Sequence, residues 1–428
     1  MEAKEDKMLH KQHEPGDKVK LSTVKEEIEG ILLESPEQGV YLIKLKSGYN
    51  IGIKKEDVHR LEIVGKKKEE KIASFKHSLN KNLKNIDLIV SGGTISSKVD
   101  YETGGVKSLT QPEELLQFYP ELKEIVNVRK IISPFSKFSE DMDSLDWKEI
   151  AKIAVQSLND EECEGVIITH GTDTLHYTSS ALSFFLRDLN KPVVLTYSQR
   201  SSDRASSDAQ LNLIAAAKMA VSEAAEVMIV GHASSSDDFC YAFRGTKVRK
   251  MHTSKRDAFK SINERPIAKI GEKIEFMNSF SPRDNSKKVK LDDKFNDKIA
   301  LIKFYPGMDA EIIDYYSRYQ GIIIEVAVLG HVAGDEARKN LIPVLRKAID
   351  NGLVICAVPQ TIYGRLNPLV YSAGRMLMKT GVIFLEDMLP ETAFVKLGWV
   401  LGHKDWKVKI KEKMLENFSG EINSRIEK

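Results

Sequence analysis

The sequence predicts a two-domain α/β core built on parallel sheets, preceded by a small β-barrel of the SH3 kind. Three observations carry this. Residues 1–64 hold short β-rich runs separated by Gly and Ser. From Asn85 on, apolar runs of strand length end in glycine-rich turns and alternate with segments of helical period. A polar stretch from Glu272 to Lys298 interrupts the alternation, which resumes at Leu301. A chain of 428 residues has room for such units at roughly 150 residues per domain.

In order along the chain, Gly16 to Leu21 reads as a turn entering a strand, followed by strands over Gly30–Leu33, Val40–Leu45 and Tyr49–Ile53. The run Gly65-Lys66-Lys67-Lys68-Glu69-Glu70-Lys71 reads as a solvated linker, placing a boundary region at 65–84. The next unit, 85–290, has buried strands at Ile86–Val90, Gly165–Ile168, Pro192–Thr196 and Val227–Val230. Between them Trp147, Ile150, Ile153, Ala154 and Leu158 recur at helical spacing, with Asp143 or Ser144 as N-cap. Near-continuous apolar strands alternating with helices mark a parallel sheet covered on both faces. The last unit, 291–428, has strands at Leu301–Tyr305, Gly321–Val326 and Leu353–Val358, and a helix over Asn340–Asn351 stopped by Gly352.

Composition narrows the function classes. Hydrophobic residues at 42% and charged residues at 29% are ordinary for a soluble chain with a real core. The net charge of +2 provides no global field for nucleic acid, so any RNA contact is local or made by a partner. Three widely spaced cysteines without CxxC argue against a disulfide framework or structural zinc and fit a reducing cytoplasm. No run approaches a membrane span.

Two loops carry the chemistry, because each places threonine directly after a buried strand in a glycine-rich turn: Ser91-Gly92-Gly93-Thr94 and Thr169-His170-Gly171-Thr172-Asp173-Thr174. In open α/β sheets ligands bind beyond the carboxyl ends of strands. The glycines allow close backbone approach and offer N–H donors, while a hydroxyl needs a base or electrostatic partner to act as nucleophile. The alternative for the first loop is a phosphate cradle at a helix start, which has little specific support because GxGxxG and GxxxxGK[ST] are both absent. The second, taken alone, reads as an ordinary helix N-cap, and it is the occurrence of two such loops on one sheet that points to catalysis.

These motifs resemble a known family. Ser91-Gly92-Gly93-Thr94-Ile95 is similar to the Thr-Gly-Gly-Thr-Ile signature of bacterial-type L-asparaginases, and Thr169 to Thr174 matches their second signature. Ser139-Glu140-Asp141-Met142 resembles the family's substrate-carboxylate loop. Lys250, nine residues before Phe259, sits where its catalytic lysine is expected, with Lys247 as the fallback. The resemblance runs from about Asn85 to Lys396. The β-rich unit in front, with Arg200-Ser201-Ser202-Asp203-Arg204 and Arg244 to Lys250, narrows it to the D subunits of archaeal glutamyl-tRNA(Gln) amidotransferases.

The resemblance implies an asparaginase-like core and a glutaminase subunit of a ligase complex. Thr94 would attack the glutamine side-chain amide; Thr172, Asp173 and Lys250 would handle protons; Ser139, Glu140 and Tyr101 would bind or close over the substrate. From the residues themselves, the polar segment Ser96 to Lys107, with Gly104-Gly105 and directly after Thr94, reads as a closing lid or as a mobile surface loop without a gating role. Tyr101 within it reads as a closing residue or an exposed loop aromatic. The resemblance further implies a homodimer carrying GatE-type partner subunits in a heterotetramer. Glu-tRNA(Gln) would be met mainly through the partner, whose reaction uses ATP and Mg, with no cofactor or metal on this chain. The alternative is a free-standing L-asparaginase. Two departures stand out: Ser91 replaces a threonine, and Glu325 to His331 is poorer in glycine than the family's segment. In related dimers that segment reaches the neighbour's site, so His331 is either such a residue or a structural histidine, and Val326 to Leu329 read as core.

Overall fold

The structure, a computed structural model, describes residues 13–47, 49–65, 80–99, 106–108, 115–201, 204 and 206–426. The expected linker run 66–71 and Tyr101 lie outside the described residues.

The first unit is an antiparallel sheet of β1 (Lys18–Thr23), β2 (Glu27–Leu33), β3 (Val40–Leu45), β4 (Asn50–Lys54) and β5 (Val58–Gly65), in the order β4-β3-β2-β1-β5. Val19, Leu21, Leu32 and Ile43 form its small core, a consequence of period-2 alternation along Lys-Val-Lys-Leu in β1. Strand β5 was not legible as a strand, because His59, Arg60 and Glu62 break the apolar pattern. It forms by pairing with β1, Leu61 beside Leu21.

The main sheet contains β6 (Asn85–Val90), β9 (Asn127–Ile132), β10 (Val166–Thr169), β12 (Val193–Thr196), β13 (Val227–His232), β14 (Cys240–Arg244), β17 (Ala268–Ile270) and β18 (Ile274–Phe276). Its order is β18-β17-β14-β13-β12-β10-β6-β9. The sheet is parallel from β9 to β13, as the sequence predicts, but β14, β17 and β18 run antiparallel. The reversal follows from the connections. A parallel return needs a crossover of a dozen or more residues, whereas β13 and β14 are joined by a short loop. Small two-stranded pairs decorate the sheet: β7 (Ser97–Val99) with β8 (Val106–Ser108), β11 (Leu186–Arg187) with β19 (Lys290–Leu291), and β15 (Val248–Lys250) with β16 (Phe259–Ser261).

Alternate residues of the central strands feed two different cores. Ile89, Ile168, Leu195 and Ile229 pack toward α3 (Ser144–Leu158) and α4 (Leu175–Phe185). Leu88, Ile167, Val194 and Met228 pack toward α5 (Ala209–Ala220). Two single-turn helices, α1 (Leu115–Phe118) and α2 (Leu122–Ile125), close the latter face. Helix α3 starts with a capping box: Asp143 accepts from the Leu145 N–H at 2.8 Å, and the Asp143 N–H donates to Asp146 at 3.0 Å.

The C-terminal unit is a parallel sheet of β20 (Ile299–Lys303), β21 (Gly321–Val326), β22 (Val354–Pro359) and β23 (Ile383–Phe384), in that order. Its helices are α6 (Glu311–Tyr315), α7 (Ile342–Asp350), α8 (Ser372–Met378), α9 (Pro390–Gly402) and α10 (Ile410–Leu415). Helix α9 packs on α4, and the core between them is continuous across both α/β units. Phe184 of α4 stacks on Trp399 of α9, ring centroids 5.5 Å apart. Among the described residues no helix is long and apolar enough to cross a membrane. Phe184 is 0% exposed at this junction, so Phe184→Ala should lower unfolding free energy by about 3–5 kcal/mol. Denaturant titration checks this; a loss under about 1 kcal/mol would mean the two units do not stabilise each other through this stack.

Candidate active site

Strands β6 and β10 are parallel neighbours with Val90 beside Thr169, so the loops that leave their carboxyl ends emerge together. Gly92 and Gly93 take φ of +119° and +83°, open to glycine and costly for other residues. A Cβ on Gly93 would overlap the Gly171 amide nitrogen and the His170 carbonyl, and one on Gly92 would overlap the Lys137 backbone. The two loops thus touch backbone to backbone. Thr94, half-buried, opens a short helical turn, Thr94–Ser96. That turn is fastened from below: the Ser97 hydroxyl donates to the Gly93 carbonyl at 2.7 Å, and the Ser96 and Thr169 hydroxyls bond at 2.9 Å.

From the second loop, Thr172 and Asp173 meet Lys250 at the end of β15. Lys250 Nζ donates to Thr172 Oγ1 at 2.8 Å and to Asp173 Oδ1 at 2.7 Å. The Lys250 side chain is 11% exposed and that of Asp173 62%, so the ion pair opens to solvent on the carboxylate side. The lysine amine thus bridges the Thr172 hydroxyl and the Asp173 carboxylate, three groups that chemically can exchange a proton. Lys247 does not compete for this role. Its ammonium lies 2.6 Å from Asp387 Oδ2 with both side chains fully buried. Along β15, Arg249 and Lys250 face opposite ways, and Lys247, in the turn that leads into the strand, is held by the buried pair with Asp387.

Ser139 begins the turn Ser139–Asp141 and is buried. Its hydroxyl accepts from the Asp173 and Thr174 N–H groups at 3.1 and 3.4 Å, and Thr174 Oγ1 donates to the Ser139 carbonyl at 2.6 Å. The Ser139 oxygen is thus committed to the second loop, and only its proton is left to offer a ligand. Glu140 is exposed beside it. The expected lid is described only in part: β7 and β8 pair directly after Thr94, with Val99 beside Val106. His331 closes a turn with Ala327 by paired backbone bonds of 2.9 and 3.0 Å and packs edge-on against Tyr371 at 5.1 Å. The core reading of Val326 to Leu329 needs correction. Only Val326 is buried, and Val328 is 59% exposed at φ +45°, because the chain leaves β21 in a tight turn.

Several neighbours were given no role by motif reading, two of them, His170 and Arg249, although they lie within quoted motifs. His170 is fully buried; its Nδ1–H donates to the Gly171 carbonyl at 2.7 Å, so Nε2 accepts from Thr178 at 2.9 Å. Burial pushes it down to about 4, which keeps it neutral. His176 is pushed down to about 3, by burial first and then by the Arg249 and Lys250 charges. Arg249 forms an ion pair with Glu391 of α9 at 3.0 Å. Only the tertiary fold brings α9 here, so no local signal could have found Glu391. Among the described residues no cluster of three His, Cys, Asp or Glu side chains could hold a metal ion.

Three family models match the chain: "GatD N-terminal domain" over residues 13–64, "Asparaginase, N-terminal" over 85–281 and "Glutaminase/Asparaginase C-terminal domain" over 298–414. The chain is 49% identical over 422 residues to the glutamyl-tRNA(Gln) amidotransferase D subunit of Pyrococcus furiosus, covering 96% of this chain and 95% of the relative. To the corresponding D subunit of Methanopyrus kandleri it is 41% identical, covering 92% and 88%. Among solved structures it resembles the thermostable L-asparaginase of Thermococcus kodakarensis, with a TM-score of 0.69 and 28% identity over 79% of this chain and 99% of that one. L-asparaginase I of Vibrio cholerae gives a TM-score of 0.69 and 29% identity over 80% and 99%.

The two lysines should separate in stability. Lys247→Ala leaves Asp387 buried without its cation and should cost about 3–5 kcal/mol. Lys250→Ala removes a pair that opens to water and should cost about 1 kcal/mol or less. Replacing Lys247 is therefore not the mild change that a fallback lysine on the surface would allow. Equal stability losses for the two variants in denaturant titrations would contradict this assignment.

Proposed function

The chain belongs to the family of glutamyl-tRNA(Gln) amidotransferase D subunits, and we propose that it is the glutamine-hydrolysing enzyme of such a complex. The observation that carries the chemistry is Lys250 Nζ held between Thr172 Oγ1 and Asp173 Oδ1. Thr94 attacks the side-chain amide carbon of glutamine, and N–H groups of the Gly93 and Gly171 loops receive the developing oxyanion, each worth on the order of 3 kcal/mol. The Thr94 hydroxyl proton passes through Thr172 and Lys250 to the amide nitrogen, which leaves as ammonia. The glutamyl ester on Thr94 is then hydrolysed by water whose proton the same relay returns to the Thr94 oxygen as glutamate departs. Asp173, Glu140 and the Ser139 hydroxyl hold the substrate's ammonium and carboxylate ends, and Tyr101 closes over it.

Ammonia is then used by a GatE-type partner that holds Glu-tRNA(Gln) and consumes ATP and Mg. This chain needs no cofactor or metal of its own, works in the cytoplasm and forms a homodimer within a heterotetramer. The free-standing L-asparaginase is the other reading, suggested by the solved structures the core resembles. The match of residues 13–64 to the GatD N-terminal domain, together with D-subunit relatives that extend over almost the whole chain, favours the amidotransferase.

Thr94→Val and Thr172→Val should each abolish glutamine hydrolysis with little effect on folding, since valine keeps the shape and removes the hydroxyl. Activity within roughly tenfold of wild type would remove that residue from the mechanism. Lys250→Arg should be nearly as damaging as Lys250→Ala, because a guanidinium cannot give up its proton. The isolated chain should hydrolyse glutamine slowly and speed up at least roughly tenfold when the partner and Glu-tRNA(Gln) are added. Rapid, tRNA-independent turnover of asparagine would instead establish the free-standing asparaginase.

A further inference from the structure

On the face of the run 247–250 opposite Thr172 and Asp173, two cations cross to the C-terminal α/β unit. Lys247 ends on Asp387 at 2.6 Å and Arg249 on Glu391 Oε1 at 3.0 Å. Glu391 is the second residue of α9 and is 6% exposed. The same Oε1 lies 3.9 Å from Nε2 of His176, the second residue of α4, and α4 starts directly after Thr172-Asp173-Thr174. We propose that Glu391 is a positioning residue for the hydrolytic reaction. One carboxylate from the C-terminal unit seats both arms of the triad: the lysine arm through Arg249 and the threonine–aspartate arm through His176.

Strand β15 is three residues long and pairs only with the equally short β16, so its own ladder anchors Lys250 weakly. The planar, multiply donating guanidinium of Arg249 is suited to fixing the strand on a buried carboxylate. At 3.9 Å the His176 contact is beyond hydrogen-bond reach, and it acts as a packing seat for a neutral ring. Arg249 and Lys250 are adjacent, so a shift of the guanidinium moves the amine. A displacement of about 1 Å at a reacting group can cost on the order of a hundredfold in rate.

The inference rests on the glutaminase reading, and its test separates the two. Full-length wild type and variants, in complex with the partner subunit, are assayed for glutamine hydrolysis. Glu391→Gln should lower kcat by about 10- to 100-fold with KM within about threefold, because Glu391 acts through Lys250 rather than on substrate. Arg249→Gln should do the same, and the double variant should fall no more than about threefold below the worse single one, since both act through one contact. Should Glu391→Gln fail to fold, Arg249→Gln, whose side chain is 27% exposed, carries the test alone. Asp292→Asn, which loosens a 2.9 Å contact to His403 on the same unit, serves as the stability control and should lower Tm while keeping kcat within about twofold. The proposal fails if Glu391→Gln keeps kcat within threefold of an active wild type, or if it loses no more kcat than Asp292→Asn at matched Tm. An inactive wild type would sink the glutaminase reading instead. The same variants would then be compared on asparagine, where an unchanged kcat again overturns the positioning role.

Discussion

The parallel pairing of β6 with β10 is the constraint from which the site follows. With Val90 beside Thr169, both strands release their chains at one level of the sheet, and the loops can only coexist if their backbones touch. Gly93 provides that contact: any side chain there would occupy the space of the Gly171 amide. The close approach also brings both threonine loops together at the carboxyl end of the sheet, where open α/β folds bind their ligands. A substitution that is innocuous by polarity, such as alanine at Gly93, would therefore separate Thr94 from Thr172 without removing a functional group.

A second constraint works at right angles to the first. Lys250 does not come from the parallel strands but from β15, a short strand that follows the antiparallel β14 in the chain and pairs with β16. Its reach to Thr172 is possible because the chain reverses after β13, bringing β14 and then β15 back over α4. The antiparallel edge is therefore part of the site, and the C-terminal unit is more than an appendage. It shares one core with the first sheet, and its segment from Asp387 to Glu391 receives two cations of the lysine-bearing run.

Much of this was legible in the sequence. The central strands and α3 follow from apolar runs and helical spacing, and the family resemblance rested on the residues of the two threonine loops. What was not legible has physical causes. Strand β5 is carried by pairing rather than by pattern. The antiparallel edge is set by loop length, which an apolar run does not reveal. The choice between Lys247 and Lys250 depends on which face of an extended run meets which domain, and Glu391 enters the site from a helix far along the chain. The turn at Val328 defeats hydrophobicity outright, because the apolar run continues past the point where the backbone leaves the sheet.

The openness of the triad bears on how such a site can be held idle. A charge pair about 3 Å apart gains several times more interaction energy in a water-poor environment than in bulk water, because the effective dielectric falls. Lys250 is largely covered, whereas the Asp173 side chain is 62% exposed, so the lysine's partner remains solvated in the uncovered molecule. Whatever covers the Asp173 side displaces that water and strengthens the pairing between Lys250, Thr172 and Asp173 without moving any of them. On the proposed function, in which ammonia is useful only to a loaded partner, that geometry allows control by coverage alone. Lys250, Thr172 and Asp173 are already in contact, so covering the exposed side of Asp173 strengthens their pairing with no rearrangement among them.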